Sequence, residues 1–258
     1  MLNSRGRLDE THEAFSQYFD GQLCLAPLAE ELPRKILELG LTPGRAIQSA
    51  MQFPDAQVLA VDAAPLPDRI IPANVHFELL DLCAELPFEP GTFDIVHARL
   101  VMTHVINGED ALKRAALLVK PGGLLLVEDL DLGSLVETGG PAVRRLASNI
   151  IQSWSARGAD AELGRKIEAA ISSLGYFPHV QACRIDIPLA GNSSDSEAKK
   201  KLGTAFKKSL VQASEHVGRC VVAQHITEDM AREQREELDQ GNWGAVLDVY
   251  FCWARRAL

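Results

Sequence analysis

The sequence predicts an α/β fold: a seven-stranded, mostly parallel sheet with helices on both faces. Along the first half of the chain, short apolar segments of strand length alternate with amphipathic segments of helix length. The strand segments are apolar at consecutive positions, which is typical of parallel strands buried on both faces. Strand-helix-strand units repeated in this way imply a parallel sheet with right-handed crossovers.

Five strands and two helices are predicted before residue 130. The strands cover 35–39, 57–61, 74–80, 93–98 and 124–128. A helix over 45–52 ends at Phe53-Pro54, because proline restricts the residue before it and cannot donate an N–H. The segment 111–119 has the amphipathic pattern of a second helix, and the Lys-Pro-Gly-Gly sequence at 120–123 predicts a turn.

The alternation changes after the fifth strand. We predict helices over 141–156, 162–174, 197–216 and 227–238, and strands over 180–188 and 245–254. Pro141 suits the first turn of its helix, and Gly175 marks the end of the next one. The Gly, Asn, Ser and Asp residues of 191–196 predict a loop. The last two strands are expected to complete the sheet as a hairpin-like pair.

The length and composition favour a single domain. A chain of 258 residues with 47% hydrophobic content can bury one substantial core. Within it we expect an N-terminal segment over 1–34, an α/β core over 35–130, and a helical insertion with the last two strands over 131–258.

The charge balance argues against nucleic acid as a partner. The net charge is −9 and the isoelectric point is 5.3, whereas proteins that bind nucleic acid rely on basic surface to neutralise phosphates. One basic cluster departs from this balance and is formed by Lys199, Lys200, Lys201, Lys207 and Lys208. We interpret it as a solvated helix face that balances acidic neighbours.

The cysteines and the N-terminus favour the cytoplasm. Five scattered cysteines without a Cys-x-x-Cys spacing suggest neither a disulfide framework nor a metal site. The N-terminal residues lack the apolar core of a signal peptide, and no apolar run reaches the roughly 18 residues that cross a bilayer. We therefore expect reduced thiols, a cytoplasmic location and no association with membranes, while no pattern specifies an oligomeric state.

Residues suited to a nucleotide cofactor stand in the first β-α-β unit. Gly40 and Gly44 supply a turn poor in side chains, where backbone N–H groups and the next helix N-terminus can approach a ligand. Asp62 ends the second strand, where a carboxylate can accept hydrogen bonds from both ribose hydroxyls. Asp81 follows the third strand and has two interpretations: an acceptor for the exocyclic amine of adenine, or a residue that caps its own loop.

Four segments form a recognisable series: Ile36-Leu-Glu-Leu-Gly40, the run from Phe53 to Asp62, Phe93-Asp-Ile-Val-His-Ala-Arg99 and Leu118-Val-Lys-Pro-Gly-Gly123. They resemble the successive motifs of the class I S-adenosylmethionine (SAM)-dependent methyltransferases. Further segments are Arg7-Leu-Asp-Glu-Thr-His12, Asp20-Gly-Gln-Leu-Cys-Leu-Ala-Pro27, Ile71-Pro-Ala-Asn-Val-His-Phe77 and Gly175-Tyr-Phe-Pro-His-Val180. These narrow the resemblance to the LaeA-like methyltransferases of fungal secondary metabolism, which include enzymes and regulators.

The resemblance covers nearly the whole chain and implies a Rossmann-like fold, SAM as cofactor and S-adenosylhomocysteine (SAH) as product. It also implies a set of cofactor contacts: Glu38 and Gly40 beside the methionyl part, Asp62 at the ribose, Asp81 and Leu82 around adenine, and the backbone carbonyl of Ala98 or Arg99 at the methionyl ammonium. A small-molecule methyl acceptor is then the remaining partner.

The turn after the first strand departs from the family pattern Gly-x-Gly-x-Gly. The chain has Gly40-Leu-Thr-Pro-Gly44, with Thr42 in place of the middle glycine and Pro43 unable to donate an N–H. We expect this change to weaken SAM binding by about 1 kcal/mol or more where a buried hydrogen bond goes unmade. Three outcomes remain open: a re-routed turn that still binds SAM, weak binding, or a fold kept for another purpose.

Methyl transfer depends mainly on in-line alignment of the acceptor, the methyl carbon and the sulfur, because the sulfonium is already reactive. A hydroxyl acceptor can additionally need a general base, for which histidine is suited at neutral pH. His104 is the first candidate because it follows the fourth strand at the ligand-binding edge of the sheet, and packing under the next helix is the alternative. His12, on a segment that resembles the family's lid, is the second. His97 lies inside a strand, where packing between sheet and helix is favoured over catalysis.

Further residues near this edge have two interpretations each. Glu128 and Asp129 end the fifth strand and would either bind an amine or hydroxyl of the acceptor or cap the next loop. Trp154, Phe206 and Trp243 would either roof an acceptor pocket or pack in the core, and core packing is favoured for at least two of the three.

The predicted function is methylation of a small, hydrophobic metabolite, with oxygen favoured over nitrogen or carbon as the acceptor atom. A nicotinamide dehydrogenase is disfavoured because Thr42 breaks the G-x-G-x-x-G pattern, and a serine hydrolase because no G-x-S-x-G follows a strand. Two alternatives stay open: a LaeA-like regulator without catalysis, and a SAM-fold enzyme that catalyses a rearrangement or cyclisation.

Overall fold

The computed structural model describes residues 4–40, 43–66, 70–190, 195–218 and 226–258. Within these residues the strands are β1 (Lys35–Leu39), β2 (Gln57–Asp62), β3 (Val75–Leu79), β4 (Phe93–Arg99), β5 (Val119–Asp131), β6 (Val180–Pro188) and β7 (Val246–Arg255). The α-helices are α1 (Ser4–Tyr18), α2 (Pro43–Gln52), α3 (Gly108–Leu117), α4 (Gly133–Thr138), α5 (Pro141–Ser155), α6 (Ile167–Ser172), α7 (Glu197–Gly218) and α8 (Glu228–Gln240). Two 3-10 helices cover Met102–His104 and Leu163–Lys166.

These seven strands form one sheet in the order β3-β2-β1-β4-β5-β7-β6. The first five strands of the chain are parallel, and β7 runs antiparallel to both β5 and β6. The predicted seven-stranded, mostly parallel sheet is therefore confirmed. The strand order reverses between β1 and β4, and open α/β sheets bind their ligands at the carboxyl ends of the strands at such a reversal.

The helices cover both faces of the sheet, following the alternation of side chains along the strands. Ile36, Ile95 and Leu126 point to the face covered by α2 and by the connection between α1 and β1. Leu37 and Val96 point to the opposite face, covered by α3 and α6. We call these the α2 face and the α3 face.

A third apolar cluster lies around β6 and β7 and joins α1, α4, α5, α7 and α8 to these strands. Phe15 of α1 is fully buried there. Its ring centroid lies 5.5 Å from that of Phe206 in α7 and 6.1 Å from that of Phe251 in β7. The N-terminal helix is thus packed between α7 and the sheet. Phe206 accordingly belongs to the core, the role expected for at least two of Trp154, Phe206 and Trp243, whereas Trp243 is exposed.

Several predicted boundaries differ from the structure, and for two of them the reason is visible in the packing. The segment predicted as a turn belongs to β5, because Gly122 donates to and Gly123 accepts from the backbone of Arg256, at 3.0 and 2.9 Å. The predicted helix over 162–174 divides into a 3-10 helix and α6. Gly164 in this 3-10 helix lies directly against β5, where an added Cβ would be 2.5 Å from a carbonyl oxygen.

The basic cluster forms ion pairs with acidic neighbours, as its interpretation predicts. Lys199 lies 2.8 Å from Asp186 of β6. Lys208 lies 2.6 Å from Glu10 of α1. These pairs connect α7 to α1 and to the edge of the sheet, so the cluster is balanced by carboxylates on the elements around it.

The cysteines in the described residues are free thiols: Cys24, Cys83, Cys183 and Cys252. Cys220 and the first four residues of the predicted 191–196 loop lie outside the described residues. Among the helices that the structure describes, none is long and apolar enough to span a bilayer.

Candidate active site

The turn after β1 requires a glycine at Gly40. Its φ of 82° lies in the left-handed region, and its N–H donates to the carbonyl oxygen of Val61 at 2.9 Å. A Cβ built at Gly40 would lie 2.8 Å from two side-chain carbons of Val101. Both the backbone conformation and the packing therefore exclude a side chain there. Leu41 and Thr42 lie outside the described residues.

The N-terminus of α2 packs against α1 through Gly44 and His12. A Cβ at Gly44 would overlap the imidazole ring of His12. In the described part of the chain, Nδ1 of His12 is buried without a hydrogen-bond partner. Burial, together with the positive charges of Arg99 and Arg45, lowers the pKa of His12 to about 4. A histidine with this pKa is neutral at pH 7 and has little driving force to accept a proton.

Asp62 and Asp81 follow two neighbouring parallel strands at the same edge of the sheet. Asp62 ends β2, is half-buried, and accepts the N–H of Ala64 at 2.7 Å. Asp81 is exposed beyond β3 and accepts the N–H of Cys83 at 2.9 Å. One oxygen of each carboxylate therefore shapes its own turn. Leu82, next to Asp81, is buried in the apolar cluster on the α3 face.

Glu38 is the centre of a buried ionic cluster on the α2 face. Its carboxylate accepts from Ser49 Oγ at 2.5 Å and from Arg45 Nε at 3.2 Å, and it lies 2.7 Å from His97 Nδ1. His97 stands opposite Glu38 in the register of β1 and β4. Burial alone would raise the pKa of Glu38, but His97, Arg45 and Ser49 stabilise the carboxylate and lower the pKa to about 2.

The cluster continues through Arg99 and Glu128, which form an ion pair between β4 and β5. Burial alone would raise the pKa of Glu128, but the attraction of Arg99 holds this pKa well below its usual range. The Arg99 guanidinium lies 4.7 Å from the ring centroid of Phe15 and donates to the carbonyl oxygen of Leu23 at 2.9 Å. The same carbonyl accepts from Arg45 at 2.6 Å. We call Glu38, Arg45, His97, Arg99 and Glu128 the ionic network.

Three atoms of the ionic network are buried without a hydrogen-bond partner in the described residues: Arg45 Nη2, His97 Nε2 and Glu128 Oε1. The last two lie 3.7 Å apart, which is too long for a hydrogen bond. A guanidinium donor and a carboxylate acceptor with remaining capacity suit a ligand that carries both a negative and a positive group. Ala98 lies between His97 and Arg99 in β4, and its side chain is buried on the opposite face.

Asp129 follows Glu128 and points to the α3 face. Its carboxylate accepts from the Thr103 N–H at 3.1 Å, from the Thr103 hydroxyl at 2.8 Å and from the Leu130 N–H at 2.9 Å. Burial raises the pKa of Asp129 to about 6, although these donors favour the ionised form. The capping interpretation therefore describes Asp129, although it caps the turn after β4 and not the loop after β5. Glu128 instead pairs with Arg99 and keeps one oxygen without a partner in the described residues.

His104 is exposed at the end of the 3-10 helix Met102–His104. Leu100 turns the chain out of β4 with a left-handed φ of 52° and donates its N–H to the carbonyl oxygen of Glu128 at 2.7 Å. The His104 ring centroid lies 4.6 Å from that of Trp154 in α5, at an interplanar angle of 60°. The first candidate base is therefore accessible at the carboxyl edge and contacts an aromatic side chain of the helical insertion.

Sequence reasoning missed several residues that shape this edge. Arg45 and Ser49 are four residues apart on α2, so helical spacing indicates that they share a face, although it does not name Glu38 as their partner. No local pattern indicates the role of Thr103, because its partner Asp129 lies near the end of β5. His97 is packed between the sheet and α2, as was favoured for it.

The strand order and the glycine turn at its reversal define a class I SAM-dependent methyltransferase fold. Residues 37–127 match the family model described as a methyltransferase domain. The methyltransferase str3 of Strobilurus tenacellus is 33% identical over 97% of this chain and 92% of its own length. The chain belongs to the class I SAM-dependent methyltransferase family, whose cofactor is SAM.

Two further comparisons show more distant similarities. The secondary metabolism regulator laeA of Coprinopsis cinerea is 30% identical over 48% of this chain and 33% of that protein. The solved phosphoethanolamine N-methyltransferase 2 of Haemonchus contortus, in complex with SAM, matches with a TM-score of 0.55 at 18% identity. That alignment covers 100% of this chain and 61% of the longer chain, and at this identity it shows the fold alone.

Proposed function

We propose that the protein transfers a methyl group from SAM to an oxygen atom of a small, hydrophobic metabolite. The observation that carries the proposal is the position of His104, an exposed imidazole at the carboxyl end of β4 and against Trp154. Val101, whose side chain packs on Gly40, stands three residues before His104. The glycine turn and the candidate base are thereby connected by one short segment.

The residues at this edge offer charges and hydrogen-bonding groups that suit SAM. Gly40 holds the turn after β1 in its left-handed conformation close to Val101, and Asp62 at the end of β2 offers a carboxylate for the ribose hydroxyls. The unpartnered Arg45 Nη2 is a donor suited to the methionyl carboxylate, and Glu128 Oε1 is an acceptor suited to the methionyl ammonium. Following the family's motifs, the remaining contacts would come from Glu38, Gly44, Asp81, Leu82, Ala98 and Arg99.

Bound SAM supplies an electrophilic methyl group, and the protein contributes orientation, exclusion of water and proton transfer. Trp154 offers a flat, apolar surface on which a hydrophobic acceptor can lie beside His104. A ring nitrogen of His104 accepts the proton that the acceptor hydroxyl loses as its oxygen attacks. The segment after α1 packs on the α2 face and is held there by the two guanidinium groups that donate to the Leu23 carbonyl.

Oxygen is favoured as the acceptor atom because a hydroxyl needs a base and the site offers an accessible one. His12 is the second candidate for that base. Its pKa near 4 makes it a weak proton acceptor at neutral pH. We therefore assign the proton transfer to His104. His12 instead packs against Gly44 at the N-terminus of α2.

Methyl transfer from labelled SAM to simple phenols, and to a host metabolite extract, tests the proposal. We expect label in phenolic oxygen atoms. The variant His104→Gln should lower kcat by roughly 10²–10⁴-fold and leave SAM binding unchanged. His76→Gln, at an exposed histidine of β3, is the matched control and should keep full activity.

Two outcomes would contradict this function. Label only in amine probes or in carbon would refute the oxygen assignment. Tight binding of SAM without label in any probe or in the extract would favour a regulator or an enzyme that catalyses a rearrangement.

A further inference from the structure

The carboxyl end of β5 carries three buried acidic residues. Glu128 pairs with Arg99, and Asp131 pairs with Arg165. The partners that the structure describes for Asp129 are hydrogen-bond donors rather than cations. A buried carboxylate without a cation is unfavourable unless hydrogen bonds satisfy it. The structural role of the Asp129 carboxylate is therefore defined by the groups that donate hydrogen bonds to it.

Two of those donors belong to the turn that carries His104. One oxygen of Asp129 accepts the Thr103 N–H at 3.1 Å, and the other accepts the Thr103 hydroxyl at 2.8 Å. Thr103 is fully buried and directly precedes His104 in the 3-10 helix. Because both bonds end on one carboxylate, the 3-10 helix cannot rotate or slide along β5 without breaking them.

The segment around His104 is anchored on both sides as well. Before it, the Leu100 N–H donates to the carbonyl oxygen of Glu128 at 2.7 Å. After it, the Asn107 N–H donates to the carbonyl oxygen of Gly158 at 2.8 Å, just beyond α5. The Asp129 bonds lie between these two anchors and hold the middle of the segment.

We propose that Asp129 and Thr103 are positioning residues that hold the imidazole of His104 against Trp154 and aim it at the methyl acceptor. This inference rests on the proposed function, in which His104 accepts the acceptor's proton. Catalytic groups lose much of their effect when displaced by about 1 Å. A rigid hydrogen-bonded turn beneath an otherwise exposed histidine meets that requirement.

Trp154 emission reports the position of His104 without requiring catalysis. The chain has three tryptophans, so in a Trp243→Phe, Trp253→Phe protein the emission comes from Trp154 alone. Protonation of a contacting imidazole quenches an indole, so acidification should produce a quenching step. His104→Gln in this background should remove the step and thereby assign it to His104.

Two conservative variants then disrupt the Asp129–Thr103 contact, one at the hydroxyl bond and one at the carboxylate. Thr103→Val keeps the shape of the side chain but deletes the hydroxyl, and Asp129→Asn deletes the charge. We expect the quenching step to be lost in both and kcat towards a phenol acceptor to fall by about 10²-fold, with unchanged affinity for SAM. Thr103→Ser restores a hydroxyl and should restore both properties.

Asp131→Asn is the matched control, because Asp131 is a buried carboxylate of the same strand that pairs with Arg165. It should lower stability while keeping the quenching step and kcat. A Thr103→Val protein with the native quenching step and native kcat would overturn the proposal. So would equal losses in Thr103→Ser or in Asp131→Asn.

The same measurements separate this inference from the proposed function. Loss of the quenching step in Thr103→Val supports the positioning of the turn. If His104→Gln nevertheless transfers methyl groups at the native rate, His104 has no catalytic role. The inference that the turn positions His104 towards the acceptor is then wrong as well.

Discussion

Glu38 and Asp129 are two buried carboxylates on opposite faces of the same sheet, and their acidities change in opposite directions. Glu38 lies among Ser49, Arg45 and His97, and its pKa is lowered to about 2. Asp129 accepts hydrogen bonds from neutral donors, and burial raises its pKa to about 6. Both side chains are removed from water, so the difference comes from the presence or absence of a cation.

The comparison separates two uses of a buried charge. In the ionic network, two guanidinium groups compensate the charges of two carboxylates. The same guanidinium groups donate to the Leu23 carbonyl and so hold the segment after α1 against the sheet. Asp129 has no such compensation in the part of the chain that the structure describes, and it holds a single turn. Strongly shifted carboxyl groups of this kind cluster at functional sites.

The largest effect is expected from breaking the ionic network. Arg45→Met leaves Glu38 without its guanidinium partner and should lower the free energy of unfolding by about 3–5 kcal/mol. Urea denaturation at neutral pH measures it. Arg145→Met, which breaks an exposed pair with Glu233, is the control and should cost about 0–1 kcal/mol. Equal losses in the two variants would contradict the compensating role of Arg45.

Asp129→Asn should change how stability depends on pH. Because the pKa of Asp129 rises from 3.8 to about 6 on folding, the folded protein retains a proton that the unfolded chain releases. This stabilisation is complete below about pH 4 and is lost as the pH rises through 6, amounting to about 3 kcal/mol. The free energy of unfolding of the native protein should therefore fall relative to that of Asp129→Asn over this range. A relative increase would contradict the account.

Glu38→Gln should show the opposite sign. Because the pKa of Glu38 is lowered from 4.5 to about 2, its ionised form stabilises the fold above pH 4.5, and this contribution is lost as the pH falls towards 2. The stability advantage of the native protein over Glu38→Gln should therefore shrink on acidification. Denaturation at pH 7 and pH 3 measures the change, and an advantage that grows at low pH would refute it.

The smallest of these effects concerns the glycine turn. Gly40 and Gly175 both have left-handed φ angles, 82° and 77°, but only at Gly40 would a Cβ meet a neighbour within 4 Å, on Val101. Gly40→Ala should therefore lower the free energy of unfolding by about 1–2 kcal/mol more than Gly175→Ala. Thermal or urea unfolding of both variants measures the difference, and identical costs would show that Val101 moves aside freely.

Much of the sheet could be predicted because a buried strand is indicated by a short run of consecutive apolar residues. The predicted limits of β1 and β6 agree with the structure to the residue. Asp62 was placed at the end of β2 by the same local reasoning. His104 was placed at the carboxyl edge because it follows β4, and it is exposed there.

The contacts that shape the site could not be predicted, because they join distant parts of the chain. Glu38 and His97 are 59 residues apart and meet only through the register of β1 and β4. Asp129 and Thr103 are 26 residues apart and meet because the 3-10 helix folds back on β5. The contact of His104 with Trp154 depends on the packing of α5, which no local pattern encodes.

Calorimetric titration with SAM and with SAH tests the central claim most directly, using the native protein, Asp62→Ala and Asp55→Ala. Asp55 is exposed at the opposite end of β2 and serves as the control. We predict binding of both ligands to the native protein and to Asp55→Ala, and a Kd raised by about tenfold or more in Asp62→Ala, as the loss of a hydrogen-bonded charged group implies. No heat with either ligand at high concentration, or an unchanged Kd in Asp62→Ala, would contradict a SAM site at this edge.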